Sequence, residues 1–209
     1  MRNEDRMVDA KVVECLDVTP GLREIRLRGP AFGVVTSKPA AHAPVEIAVD
    51  GGHVLRTYSV WAHDRVTASL TLRVVAHDPG GPGSRWAAGV SVGTRLRIGL
   101  PRNRITLDPT ARYHVFVGEE TAAIPLLTML AALPPTADTF GVLETSGPAA
   151  ELSVPDGRAV TWVHRGRASA VNSPVLLRAV RALDLPAGPG VAYVAGVQTH
   201  WTPGRTGLV

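Results

Sequence analysis

Residues 113–125 read Tyr113-His114-Val115-Phe116-Val117-Gly118-Glu119-Glu120-Thr121-Ala122-Ala123-Ile124-Pro125, and the hydrophobic pattern of the chain changes there. Residues 113–117 form a short apolar run, the pattern of a parallel strand buried on both faces. Gly118 ends the run, and residues 121–132 have the composition of a helix. Glu119, Glu120 and Thr121 suit its N-terminus, where acidic and hydroxyl side chains meet free N–H groups. A strand that turns straight into a helix is the building unit of an open α/β sheet. Residues 139–143 and 159–163 read as further strands and residues 191–195 as a last one. Residues 173–183 read as a second helix, with Asn172 or Ser173 as N-cap and Pro174 in the first turn.

Upstream of residue 113 the period is two. Residues 11–18 and 22–27 flank a Thr19-Pro20-Gly21 turn, and Ile25 and Leu27 alternate with Glu24, Arg26 and Arg28. Residues 44–49, 54–62, 67–76 and 95–100 are further strand candidates, and Gly51-Gly52 marks a turn. Many short strands with turn signals between them predict a small antiparallel β-barrel. The expected fold class is thus an N-terminal antiparallel β-barrel followed by a small open parallel-sheet α/β domain. The boundary falls within residues 107–112, giving domains 1–109 and 110–209.

Composition narrows the function. The chain has 209 residues, 45% of them apolar, with 21 Gly, 17 Pro and a net charge of +4, a globular composition with many turns. The positive balance comes from arginine, since lysine occurs only at Lys11 and Lys38. The arginines are scattered and form no basic run, so no nucleic-acid footprint is expected. Arginine also suits phosphate, and a phosphorylated cofactor needs only two or three. Cys15 is the only cysteine, which excludes an intramolecular disulfide and a Cys-based zinc cluster. It lies in an apolar strand and reads as an inert thiol. Residues 1–9 are charged and lack the apolar core of a secretory signal. Residues 126–133 are too short an apolar run to span a membrane. The expectation is a cytoplasmic protein with no membrane partner and a small-molecule substrate. No metal constellation has suitable spacing. His53, His63, His114 and His164 read as surface or packing residues, and the adjacent Glu119 and Glu120 point in different directions.

Three segments carry chemistry. In Arg56-Thr57-Tyr58-Ser59, Arg56 and Tyr58 share one side of a strand. A guanidinium there suits a diphosphate, a phenol ring suits an aromatic cofactor, and Ser59 suits a ring nitrogen. An ordinary exposed barrel strand has the same residues. In His77-Asp78-Pro79-Gly80-Gly81-Pro82-Gly83-Ser84-Arg85-Trp86, small residues let backbone amides approach an anion, and residues 86–89 suit the first turn of a short helix. A plain hairpin loop also fits. The third segment is residues 118–125, at a strand-to-helix turn of the kind that binds ligands in open α/β sheets. Helix capping alone also accounts for its residue types.

Taken together and in this order, the three segments resemble the siderophore-interacting proteins, a branch of the ferredoxin-reductase-like flavoproteins. That family's pattern has Arg-x-Tyr-Ser/Thr-x-Arg on a barrel strand. A His, a Gly-Pro-small-Ser loop and a Trp follow, then Gly-Asp/Glu-Glu-Thr-Ala-x-Pro in the second domain. The chain supplies Arg56, Tyr58 and Ser59, then His77, Gly81, Pro82, Gly83, Ser84 and Trp86, then residues 118–125. The resemblance covers residues 12–196. It implies FAD as cofactor, with Arg56 on the FAD phosphate, Tyr58 stacked on the flavin, and Thr57 and Ser59 beside it. The loop 81–84 would cradle the diphosphate, flanked by His77 and Trp86, and Thr121 would face the nicotinamide side. It further implies NADPH or NADH as hydride donor and a ferric siderophore as acceptor. No catalytic side chain follows from it.

The chain departs from the pattern in two places. Trp61 replaces the second Arg. After Ala195-Gly196 the pattern continues with Glu-Ala and a helix, whereas this chain has Val197-Gln198-Thr199-His200-Trp201. The expectation is a shortened second domain and a nicotinamide side less complete than the FAD side. These departures keep open an FAD-binding non-redox enzyme, such as a cyclase acting on a biosynthetic intermediate, and a non-catalytic binding protein.

Overall fold

The computed structural model describes residues 7–76, 80–155 and 158–196. In the N-terminal part the period-two pattern produces six strands: β1 (Met7–Thr19), β2 (Leu22–Arg28), β3 (Ala41–Val49), β4 (Gly52–Asp64), β5 (Ser69–Val75) and β6 (Arg95–Gly99). They are antiparallel neighbours in the order β4-β5-β2-β1-β6-β3, and β3 pairs again with β4. That last pairing closes a six-stranded barrel and removes its free edges. A two-residue strand, β7 (Arg102–Asn103), adds to β3. Inside the barrel, Val12, Ile25, Leu27, Leu70, Leu72 and Ile98 are fully buried. Helix α1 (Pro82–Gly89) packs against β3 and β5. It starts four residues earlier than the sequence pattern suggested, because Pro82 fits the first helical position. Arg23 holds its other end, with Nη1 donating to the carbonyls of Ala87 at 2.5 Å and Ala88 at 2.7 Å.

Two irregularities in β4 matter for the site. The strand pairs β3 from Gly52 to Ser59 but pairs β5 only from Ser59 onward. The stretch from Arg56 to Tyr58 therefore has a neighbouring strand on one side only. A bulge lies between Val60 and Ala62, which puts Trp61 at the irregular position. Bulges re-aim side chains in this way.

The second part alternates strand and helix: β8 (Tyr113–Glu119), α2 (Glu120–Ala131), β9 (Asp138–Thr145), β10 (Thr161–His164), α3 (Pro174–Arg181) and β11 (Val191–Ala195). The four strands are parallel, in the order β10-β9-β8-β11. Every residue of β8 is buried, as its apolar run requires. Helix α2 is apolar on nearly all sides, with Ala122, Ala123, Ile124, Leu126, Leu127, Met129 and Leu130 buried. It packs on β8 and β9 and also touches β4 and β5, so it joins the barrel to the parallel sheet. Gly118 permits this packing, since a Cβ there would lie 2.6 Å from that of Ala122 and 2.8 Å from the carbonyl of Ala195.

Helix α3 begins on Ser173, whose hydroxyl accepts from the Leu176 amide at 3.3 Å. It covers the opposite face of the sheet only in part. Leu177 stays 51% exposed and Val194 62% exposed, and no described residue covers that strip. The expected departures at residues 197–209 lie outside the described residues. No helix among the described residues is long and apolar enough to cross a membrane.

Candidate functional site

A cleft of about 300 Å³ opens where β4 loses its second neighbour. Its walls are Arg56, Thr57, Tyr58 and Ser59 of β4, Arg73 and Val75 of β5, Gly81, Gly83 and Ser84 at the start of α1, and Thr121 and Ile124 of α2. Segments far apart in sequence meet here because α1 packs on β5 and α2 packs on both β4 and β5.

Each wall has a local cause. The unpaired flank of β4 displays the stretch from Arg56 to Tyr58. Gly81 is the N-cap of α1 in extended backbone, Pro82 follows it, and the first turn carries no acidic residue. The first-turn amides of a helix have no intrahelical acceptor, so this terminus suits an anion. Gly83 is required by space. A Cβ there would sit 2.7 Å from the Tyr58 hydroxyl and 3.5 Å from Arg56 Cγ. Thr121 lies in the first turn of α2, and Pro125 leaves its carbonyl without the usual donor four residues on.

Tyr58 is half-buried and stacks on Trp86, with centroids 5.3 Å apart and planes 18° apart. Its hydroxyl is buried with no hydrogen-bond partner. Burial pushes its pKa up to about 12, and the nearby Arg56 pulls the other way. The phenol is therefore a neutral donor at neutral pH. Arg73 is held by Glu24, to which Nε donates at 2.9 Å, and lies over the Trp61 ring at 3.5 Å. Burial lowers its pKa while Glu24 raises it. Arginine remains a cation under such shifts.

Of the residues expected at the site, Arg56, Thr57, Tyr58, Ser59, Gly81, Gly83, Ser84 and Thr121 line the cleft. Pro82 and Trp86 do not. They border a separate groove with Arg85 and residues of β3, and Trp86 reaches the site only by backing Tyr58. His77 lies outside the described residues. Sequence reasoning missed Arg73. The sign available was its place in the strand after the Arg-x-Tyr-Ser segment, but only the register that pairs it with Ser59 brings it to the cleft.

The carboxyl end of the parallel sheet is a different environment. Glu119 caps α2, accepting from the Thr121 amide at 3.0 Å and from the Thr121 hydroxyl. Glu120 receives both Nη groups of Arg165. Glu144, fully buried at the end of β9, accepts from the Ser173 hydroxyl and lies 3.6 Å from Arg165 Nη1. Two carboxylates, Glu120 and Glu144, thus share one guanidinium, and the third, Glu119, is tied to Thr121. Hydrogen bonds to Glu120 raise the Arg165 pKa further. A narrow pocket of about 90 Å³ carries Glu120 and Thr145 and meets the cleft at Val75. Among the described residues no group of three or more His, Cys, Asp or Glu is placed to hold a metal ion.

A closed antiparallel barrel, a parallel sheet beside it and a cleft between them define a ferredoxin-reductase-like protein. The profile of the siderophore-interacting FAD-binding domain matches residues 40–105, and that of the siderophore-interacting protein family matches residues 111–209. The chain belongs to the siderophore-interacting protein family. The solved siderophore utilization protein from T. fusca is 26% identical with a TM-score of 0.76, over 91% of this chain and 80% of that one. An uncharacterized protein of Mycobacterium tuberculosis is 33% identical over 114 residues, 54% of this chain and 40% of that protein. The ferric acinetobactin reductase of Acinetobacter baumannii is 23% identical over 138 residues, 61% of this chain and 47% of that protein. The chain thus spans less than half the length of these two curated relatives.

Proposed function

We propose that this protein is an FAD-binding reductase that passes electrons from NADH or NADPH to a ferric siderophore or a related acceptor. One observation carries the reading: three separate sequence segments line a single cleft of about 300 Å³. The residues present suit the cofactor. The Tyr58 hydroxyl is buried without a partner, and Gly83 keeps clear the space beside it that a Cβ would fill.

Arg56 and the first-turn amides at Gly83 and Ser84 would hold the diphosphate. Tyr58, braced from behind by Trp86, would lie against the ring, and Thr57 and Ser59 would offer hydroxyls to its polar edge. Bound FAD supplies hydride acceptance and one-electron transfer, which no side chain of this cleft can perform. The protein's share is orientation. Ile124 and Val75 give the cleft apolar walls, and Thr121 faces it from the second sheet. The Acinetobacter relative is a ferric acinetobactin reductase, which supports a ferric chelate as acceptor. The reading divides the chain at residues 109 and 110 and places the protein in the cytoplasm, where reduced nicotinamide nucleotides are held.

The test is an absorption spectrum of the purified protein, followed by NADH or NADPH without oxygen. A flavin spectrum that bleaches and returns on adding a ferric chelate is the expected result. A second reading, an FAD-binding enzyme of non-redox chemistry, is favoured by the acidic carboxyl end of the parallel sheet. Three carboxylates with a single guanidinium, which pairs with two of them, disfavour a dinucleotide's phosphates. A flavin spectrum that neither nucleotide bleaches would move the assignment to that reading.

A further inference from the structure

Arg73 belongs to none of the segments that define the family pattern, yet it is the second guanidinium on the cleft wall. It stands opposite Ser59 in the pairing of β4 with β5, and opposite Glu24 in the pairing of β5 with β2. Three features fix it. Glu24 accepts from Nε at 2.9 Å, the Trp61 ring lies 3.5 Å below, and the side chain is only 13% exposed. Neither terminal nitrogen makes a hydrogen bond to a described residue. The bulge after Val60 gives Trp61 the position from which its ring meets the guanidinium. A fork with one donor anchored, one face stacked and two donor groups beside a cleft is a preorganised receptor for an electron-rich oxygen or nitrogen edge.

We propose that Arg73 is a cofactor-binding residue that grips the carbonyl and ring-nitrogen edge of the flavin beside Ser59. Trp61 is its platform. The arginine absent from position 61 is thus replaced from the neighbouring strand, and tryptophan at 61 is the partner that holds the replacement. The proposal rests on the FAD reading above. It also carries a consequence for redox chemistry, because two-electron reduction puts negative charge on that edge of a flavin. A fixed cation there favours the reduced form.

The test compares the wild type with Glu24→Gln, with Glu24→Gln/Arg73→Gln and with Arg73→Lys, each checked by thermal melting. Glutamine at 24 still offers an oxygen to Nε and leaves no unpaired carboxylate when Arg73 is removed. FAD dissociation constants come from flavin fluorescence, and midpoint potentials from dye-equilibrated titration of the bound flavin. Glu24→Gln is expected to bind FAD within about threefold of wild type. The double variant should bind about tenfold more weakly, the low end of what a charge-assisted hydrogen bond carries. If its reduced form loses a further tenfold over the oxidised form, the potential falls by about 30 mV for a two-electron couple.

Arg73→Lys keeps the charge and the pairing with Glu24 but loses the fork, so it should fall between wild type and the double variant. A double variant that matches Glu24→Gln in both affinity and potential would overturn the proposal and leave Arg73 a packing residue. Should the double variant fail to fold, Arg73→Lys equal to wild type in both measurements overturns it as well. Wild-type protein that takes up no FAD overturns the FAD reading and this inference together. FAD binding that keeps wild-type affinity and potential in every variant overturns this inference alone.

Discussion

The barrel wall and the parallel-sheet wall of the cleft handle charge in opposite ways. On the barrel side, Arg56 is exposed, Arg73 has two terminal nitrogens without a described partner, and Tyr58 keeps a buried hydroxyl unpaired. On the sheet side, most of the charge is answered within the protein: Arg165 pairs with Glu120 and lies 3.6 Å from Glu144, and Glu119 accepts from Thr121, with Glu144 Oε1 the one of these carboxylate oxygens buried without a hydrogen bond. A surface whose polar groups lack partners at a cost in stability is one arranged for a ligand. A surface that pairs most of its charges internally offers fewer of them to a ligand. The contrast supports the proposed FAD site on the barrel side and gives the sheet side fewer groups free to hold the proposed nicotinamide nucleotide.

The largest test of this contrast is Arg165→Ala. It leaves Glu144 and Glu120 without their cation, and Glu144 is fully buried. Breaking a buried pair from one side costs about 3–5 kcal/mol. Urea denaturation should show a loss of that order. A loss below about 1 kcal/mol, the size of a surface ion pair, would break the comparison at the sheet side.

Arg56→Ala is the matching test on the barrel side, with the effects reversed. Its side chain is exposed, with Nη1 donating to the Leu55 carbonyl at 2.9 Å. Stability should stay within about 0.5 kcal/mol, as at ordinary surface sites. FAD affinity should fall by about 1.5–3 kcal/mol if a charge-assisted bond to phosphate is lost. Calorimetric titration reads both affinities, and an unchanged constant removes Arg56 from the site.

Tyr58→Phe gives the smallest effect and a sign opposite to intuition. Deleting a buried hydroxyl with no partner should raise the stability of FAD-free protein by about 1 kcal/mol. The pH dependence follows from the same burial. The folded pKa of about 12 lies above the ordinary value of about 10, so the folded state holds this proton more tightly. That contribution is complete below about pH 10 and is lost as pH rises toward about 12. The Phe variant should lack this alkaline decline. A melting point lowered at neutral pH would show that the hydroxyl does have a partner.

Much of this was legible in the sequence, for definite reasons. Period-two alternation marked β2, and the apolar run of residues 113–117 marked β8, because burial on one face or on both writes directly into residue type. Pro174 and Ser173 marked the start of α3 through capping chemistry that is local. Eight of the expected site residues line the cleft because each sits within a contiguous segment. What stayed hidden depends on register. Arg73 reaches the site only through its pairing with Ser59, and Trp61 meets it only through a bulge. The pairing of Arg165 with Glu120, 45 residues away, had no local sign either. Trp86 was assigned to the site by its place in a motif, but the turn of α1 points it at the back of Tyr58.

The central claim is that β4, the start of α1 and α2 form one FAD site. Titration of FAD into cofactor-free protein, followed by flavin emission, tests it most directly. Wild type should bind one equivalent saturably with quenched emission. Binding should weaken in both Arg56→Ala and Gly83→Val, whose added Cβ would lie 2.7 Å from the Tyr58 hydroxyl. Emission that never saturates, or binding that both variants leave unchanged, would contradict the account.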